Sequence, residues 1–120
     1  MQGVTFGSEG DFDNYLKLCG RNDVVLIQFK ADWCKKCSSV ASDLESKMVD
    51  GVNWLAVDID EFPSVAERFG VVKMPRFDIF ARGRVVNRIE GVNVSTQNVL
   101  DSLKEALEFT PPALELCADF

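Results

Sequence analysis

The chain alternates between short, nearly continuous apolar runs and longer stretches in which apolar residues recur every three or four positions. Five short runs have strand character: residues 2–6, 24–30, 54–59, 77–81 and 84–89. In the first, Val4 and Phe6 share one face, as in an edge strand. The second, Val24-Val25-Leu26-Ile27-Gln28-Phe29-Lys30, is apolar at almost every position, the mark of a strand covered on both faces. The last two flank Arg82-Gly83, a two-residue hairpin signal. Between these runs the period changes to that of a helix. Ser8 is an N-cap, Glu9 and Asp11 sit in the first turn, and Phe12, Tyr15, Leu16 and Cys19 form a stripe that Gly20 ends. A second helix starts at Cys34, with Val40, Ala41, Leu44 and Met48 inward and Gly51 after its end. A short helix over 64–69 closes at Gly70, and residues 71–75 form a loop ending in Pro75. Ser95 caps a final helix with Val99, Leu100, Leu103 and Leu107 inward, stopped by Thr110-Pro111-Pro112.

The resulting order is βαβαβαββα. Its middle βαβ unit requires a parallel, right-handed crossover, and the hairpin adds an antiparallel pair. The fold class is therefore α/β, a mixed central sheet with helices on both faces. The predicted domain covers residues 1–110, and residues 111–120 are a tail without clear periodicity.

Composition narrows the function without defining it. A chain of 120 residues, 47% hydrophobic and 27% charged, is expected to form one globular domain. The net charge of −6 argues against nucleic acid and anionic membrane surfaces as partners, because both select basic patches. No apolar run approaches the length of a membrane-spanning helix. The acidic residues Glu9, Asp11 and Asp13 argue against a signal or transit peptide. The four cysteines are unevenly spaced, which predicts a reducing, cytoplasmic setting with one functional pair and a monomeric protein.

That pair is Cys34-Lys35-Lys36-Cys37, at the junction of the strand over 24–30 and the second helix. A helix N-terminus offers free N–H groups and a positive dipole end, and a thiolate is the anion that attacks disulfides. Cys34, at the exposed tip, is expected to be the nucleophile, with its pKa lowered into the range of roughly 3.5–7.5 seen for such motifs. Cys37, about one turn further in and covered, is expected to resolve the mixed disulfide. Lys35 and Lys36 favour the thiolate further, which makes the disulfide a stronger oxidant. Zinc is not expected. The chain has no histidine, and only Cys19, on an apolar helix face, and Cys117, in the tail, are left to complete a four-cysteine set. An iron–sulfur cluster shared between two chains is likewise not expected, and no nucleotide- or flavin-binding fingerprint is present. Electrons must then come from a reductase protein or a small thiol.

From about Val4 to Phe109 the chain resembles the thioredoxin family. The resemblance is carried by Phe29-Lys30-Ala31-Asp32-Trp33-Cys34-Lys35-Lys36-Cys37, Val57-Asp58-Ile59-Asp60-Glu61, Gly70-Val71-Val72-Lys73-Met74-Pro75-Arg76-Phe77, Phe80-Ala81-Arg82-Gly83 and Gly91. It implies a thioredoxin fold and a thiol–disulfide oxidoreductase acting on protein disulfides. It also implies that Pro75 is cis and faces the dithiol, that the Met74 backbone meets an extended substrate chain, and that Trp33 covers the site. The implied apolar substrate surface comprises Trp33, Ile59, Met74, Pro75, Gly91 and Val92. For Ile59 and Val92 an ordinary place in the core is the alternative.

Several positions depart from the family pattern. Lys35-Lys36 replaces Gly-Pro, and Ser42 replaces a helix-kinking proline. Gln28 stands where the resemblance implies a buried aspartate that deprotonates the second cysteine, and Ala56 stands where a lysine accompanies it. An amide cannot act as a general base near neutral pH. Lys30, Lys73, Arg76 and Glu90 also differ from the pattern. Together Lys30, Lys35, Lys36, Lys73 and Arg76 predict a basic ring around the dithiol that prefers acidic partners. Scattered solvated charges are the alternative. A binding or adaptor module with a weakly active or regulatory dithiol remains the other functional reading.

Overall fold

The computed structural model describes residues 7–19 and 24–109. The expected strand over 2–6, Gly20, the Thr110-Pro111-Pro112 stop and the tail with Cys117 lie outside them, as does the side chain of Cys19. The elements are α1 (Glu9–Cys19), β1 (Val24–Lys30), α2 (Lys35–Lys47), β2 (Val52–Asp58), α3 (Pro63–Arg68), β3 (Arg76–Ala81), β4 (Arg84–Glu90), a single 3₁₀ turn (Gly91–Asn93) and α4 (Thr96–Phe109). Within the described residues they follow the expected order, with boundaries moved by a few positions.

The strands form one sheet in the order β2-β1-β3-β4. β1 pairs parallel to β2, with Gln28 opposite Ala56, and antiparallel to β3, with Gln28 opposite Phe77. The α2 crossover is what makes the parallel pair possible. At the hairpin, Arg82 and Gly83 both have positive φ, 59° and 82°, the conformation of a type I′ turn. The β3–β4 register shifts between Ile79 and Phe80, where β4 carries one extra residue.

Because side chains alternate along a strand, β1 feeds two cores. Val24 and Leu26 pack with Val40, Ala41 and Leu44 of α2 and Val99, Leu100 and Leu103 of α4. Val25, Ile27 and Phe29 pack on the opposite face with Phe12 of α1, Val65 of α3 and Phe69 just beyond it. Complete burial of a Leu or Phe side chain of this kind stabilises by about 1.5–3 kcal/mol. The caps behave as the side-chain chemistry dictates. Ser8 Oγ accepts from the Asp11 N–H (3.1 Å) and Ser95 Oγ from the Asn98 N–H (3.1 Å). Arg68, in the last turn of α3, ties that helix to α1 through Glu9 (2.6 Å) and Asp13 (2.9 Å).

Candidate active site: a dithiol at a helix N-terminus

β1 ends at Lys30, and the chain turns through Ala31, Asp32 and Trp33 before α2 begins. The Cys34 N–H bonds back to the Ala31 carbonyl (3.0 Å), which tightens the turn. Cys34 is the N-cap of α2, and its sulfur accepts the Cys37 N–H at 3.2 Å. A serine or aspartate cap uses its oxygen this way, and here the sulfur satisfies one of the free donors of the first turn. Cys34 and Cys37 are joined as a disulfide. The Cys37 sulfur also lies 4.0 Å from the Phe29 carbonyl oxygen.

Ile59 and Met74 pack against Ala31, Cys34 and Cys37. Cys34 is therefore only 7% exposed, so the expected exposed tip is corrected. Apolar neighbours on two sides cover the first sulfur nearly as well as the second. Trp33 is 62% exposed, and its indole N–H donates to Asp60 Oδ2 at 3.1 Å. The Met74-Pro75 bond is cis, and the Pro75 carbonyl accepts the Gly91 N–H at 2.8 Å. That bond brings the Gly91–Asn93 turn beside the Met74-Pro75 segment. Val92 is 93% exposed, so it is not core; Ile59 is half-buried against the dithiol. Gly91 has φ 63°, a conformation costly for other residues, and an added Cβ there would lie 3.5 Å from Lys73 Cδ.

An open groove of about 470 Å³ runs between Lys36, Lys73, Met74, Glu90 and residues 91–93. Lys36 Nζ lies 3.4 Å from the Gly91 carbonyl oxygen. Of the five cations in the expected basic ring, Lys36 and Lys73 thus share one groove, Lys35 is exposed, and Lys30 is half-buried at the end of β1. Arg76 does not belong to the ring. It is 3% exposed, and its guanidinium turns inward, donating from Nε to Asp78 Oδ1 at 2.6 Å. Position 76 points to the same sheet face as Asp78 and Phe80, and that face is covered by α1 and α3 rather than by water.

Gln28 is buried, and its Oε1 accepts the Trp54 indole N–H at 3.1 Å. Trp54 belongs to the core on the α2 side of the sheet, as do Val24 and Leu26. The α2 side of β1 near the dithiol thus carries a neutral amide–indole pair, with Ala56 opposite Gln28 on β2. Sequence reasoning missed Trp54, Asp60 and Asp78 as partners of Gln28, Trp33 and Arg76. Only the last left a signal: Arg76-x-Asp78 alternates with buried Phe77 and Ile79 on a strand covered on both faces. Among the described residues no group of three or more candidate metal ligands occurs, and no helix is long and apolar enough to cross a membrane.

A strand–dithiol–helix junction packed against Met74 of a cis Met74-Pro75 bond, on a mixed four-stranded sheet, defines a thiol–disulfide oxidoreductase of the thioredoxin fold. The thioredoxin family model matches residues 4–105, and the chain belongs to the thioredoxin family. It is 39% identical over 75 residues to Thioredoxin H4 of Arabidopsis thaliana, an alignment covering 60% of this chain and 63% of that protein. It is 30% identical to Thioredoxin 1 of Plasmodium falciparum over 103 residues, 84% of this chain and 90% of that one. The reduced thioredoxin pre-protein of Schistosoma mansoni superposes with a TM-score of 0.76 at 25% identity, covering 88% of this chain and 98% of the other. A mutant thioredoxin from Halobacterium salinarum gives 0.75 at 26% identity, covering 92% of this chain and 95% of the other.

Proposed function

We propose that the protein reduces or exchanges disulfides of protein substrates, with Cys34 as nucleophile and Cys37 as resolving thiol. The observation that carries the reading is the Cys37 N–H directed at the Cys34 sulfur from the first turn of α2. That donor and the helix dipole favour a thiolate at position 34. The Cys34 thiolate attacks a substrate disulfide, forms a mixed disulfide and expels one substrate thiolate. The Cys37 thiolate then attacks the Cys34 sulfur and expels the second. Two electrons pass to the substrate, and the chain is left with the Cys34–Cys37 disulfide. A reductase protein or a small thiol must return those electrons.

Trp33, Ile59, Met74, Pro75, Gly91 and Val92 form the apolar contact surface, and an extended substrate chain lies along the Met74 backbone. Lys35, beside the sulfur, and the Lys36–Lys73 groove favour acidic segments next to the substrate disulfide. Glu90 opposes this only weakly, because its carboxylate is drawn toward Arg76, 3.5 Å away. The functional unit spans residues 1–110 and acts as a monomer in a reducing compartment, the cytoplasm, as the cysteine usage supports. No metal or organic cofactor takes part. Reduction of insulin disulfides by a thiol-driven cycle tests the reading: activity is expected from the native chain and none from Cys34→Ser. Equal turnover by native and Cys34→Ser proteins would refute it.

The neutral Gln28–Trp54 pair favours a second reading, a binding module that captures partners through Cys34 and releases them slowly. Capture of a partner disulfide without turnover by the native chain would favour that module over the enzyme.

A further inference from the structure

We propose that Arg76 is a positioning residue for exchange with protein disulfides: it clamps the 69–75 loop, and with it the Met74 backbone, over the dithiol. The inference rests on the reading that substrate chains dock along Met74. Residues 69–75 join α3 to β3 almost without regular structure, and such loops ordinarily open locally. This one is pinned at both ends by a single side chain. Arg76 Nη2 donates to the Phe69 carbonyl (2.8 Å) and Nη1 to the Gly70 carbonyl (3.1 Å), groups that α3 leaves without helical partners. Arg76 itself follows Pro75, so the guanidinium closes the loop from its far end back to its near end.

The guanidinium is held in turn on every side. Asp78, fully buried, takes Nε at 2.6 Å and Nη2 at 3.3 Å. The Phe29 ring lies 5.9 Å from the guanidinium carbon, and Glu90 Oε1 lies 3.5 Å from Nη1. Glu90 precedes Gly91, whose N–H holds the Pro75 carbonyl. One planar group therefore ties together the end of α3, the start of β3 and the end of β4, and Met74, which packs on the dithiol, lies in the loop between the first two. A buried ion pair is a poor source of net stability, since apolar residues of similar volume do as well. What a forked, five-donor group adds is direction, which lysine or an apolar residue cannot supply.

Two variants test this. Arg76→Lys keeps a charge for Asp78 and loses the two carbonyl bonds. Arg76→Met/Asp78→Val removes both buried charges together. In each, KM for insulin is expected to rise at least tenfold, while attack on a small aromatic disulfide and the thiol–disulfide equilibrium constant with glutathione stay within twofold. A folded variant whose insulin KM stays within twofold of native overturns the proposal, as does equal slowing with both disulfides. Amide exchange in the native chain can overturn the clamp whether or not the variants fold. Val71 and Gly91 N–H groups, bonded to the Ala66 and Pro75 carbonyls, exchanging as slowly as those of β3 in the native chain and faster in folded Arg76→Lys support the clamp, and exchange at open-loop rates in the native chain overturns it. A native chain inert toward both disulfides refutes the oxidoreductase reading instead, and amide exchange then decides the clamp alone.

Discussion

Gln28→Glu places a carboxyl on the α2 face of the sheet, one residue before the Phe29 carbonyl that lies by Cys37, with almost no change of side-chain shape. The new group can still accept the Trp54 N–H that Gln28 Oε1 takes at 3.1 Å, so the core on the α2 side need not repack. Its cost is electrostatic. Gln28 is 3% exposed, and its partner across β2 is Ala56, which offers no charge. Burial penalises the ionised form and raises the pKa of the new carboxyl. Each unit of rise costs about 1.4 kcal/mol at pH values above it, so a rise from the ordinary range to neutrality costs about 3–4 kcal/mol. Stability is native-like below the ordinary glutamate pKa and falls as pH climbs toward the raised value.

The return is kinetic. A positioned general base contributes about 10²–10⁴ in rate and works best with a pKa near the working pH. The lower end applies here. The Cys37 sulfur lies 4.0 Å from the Phe29 carbonyl oxygen, and residue 28 precedes Phe29 on β1 with its side chain on the α2 face of the sheet. The assay is rapid mixing of the reduced protein with an aromatic disulfide that liberates a coloured thiolate. One equivalent appears when Cys34 attacks and a second when Cys37 resolves the mixed disulfide. In the native chain the second phase is expected to be slow. In Gln28→Glu the first phase should stay within twofold while the second accelerates about 100-fold and gains a new pH inflection. A folded variant with an unchanged second phase would show that proton removal from Cys37 is not what limits release.

The remaining predictions concern charge and turn chemistry. Lys35→Ala/Lys36→Ala should lower the reduction potential of the pair by about 15–40 mV, since each cation near the thiolate contributes roughly 0.3–1 kcal/mol and 30 mV corresponds to about 1.4 kcal/mol; equilibration with a glutathione buffer reads the shift. Lys36→Glu/Lys73→Glu should slow reduction of a disulfide peptide flanked by aspartates about tenfold at low ionic strength, and the difference should shrink in high salt. Hydrogen bonds from Arg68 and then Ser64 hold the Glu9 carboxyl below its usual value of 4.5. The stability this gives is complete above that value and is lost as pH falls through the lowered one, so Glu9→Gln should lower stability at neutrality and converge with the native chain in acid, flattening the acid limb of an unfolding profile. Arg82→Asn should stabilise the protein by about 0.5–1 kcal/mol in a denaturant titration, because Asn-Gly suits the positive φ of both hairpin residues better than Arg-Gly.

What the sequence revealed and what it hid follow from the range of the interactions involved. The dithiol junction, the Ser8 and Ser95 caps and the Arg82-Gly83 turn are local, set by residues within a turn of one another. They are legible because no distant partner is needed to define them. The Gln28–Trp54 bond joins residues 26 positions apart, and the Trp33–Asp60 bond joins residues 27 apart. Both depend on how β1 and the segment after it meet β2, a register that periodicity alone does not specify. Arg76 misled for another reason. A cation beside a loop proline ordinarily faces water, and only the double coverage of β3, together with Asp78 two residues on, turns that side into core.

The departures around the dithiol obey one electrostatic logic. Two lysines in the first turn of a helix oppose the macrodipole and weaken α2 on its own terms. Local rules of this kind are broken where a site gains by it. The gain appears only when position 34 carries a negative charge, because the thiolate then meets the Cys37 N–H and the dipole, with two cationic side chains on the same helical turn. On the inner side the chain does the opposite. Gln28, Trp54 and Ala56, on the α2 face of the sheet, are all neutral, so none of the three can draw off the Cys37 proton. A cationic first turn and a neutral amide–indole pair act on the two sulfurs in opposite senses. In the proposed cycle they are expected to make Cys34 a ready nucleophile toward a substrate disulfide and to leave Cys37 a reluctant attacker of the mixed disulfide that results. Such a dithiol is expected to hold its mixed disulfides longer than one with a buried carboxylate does. A longer-lived mixed disulfide gives the Lys36–Lys73 groove and the Arg76-clamped loop more time to discriminate among bound chains.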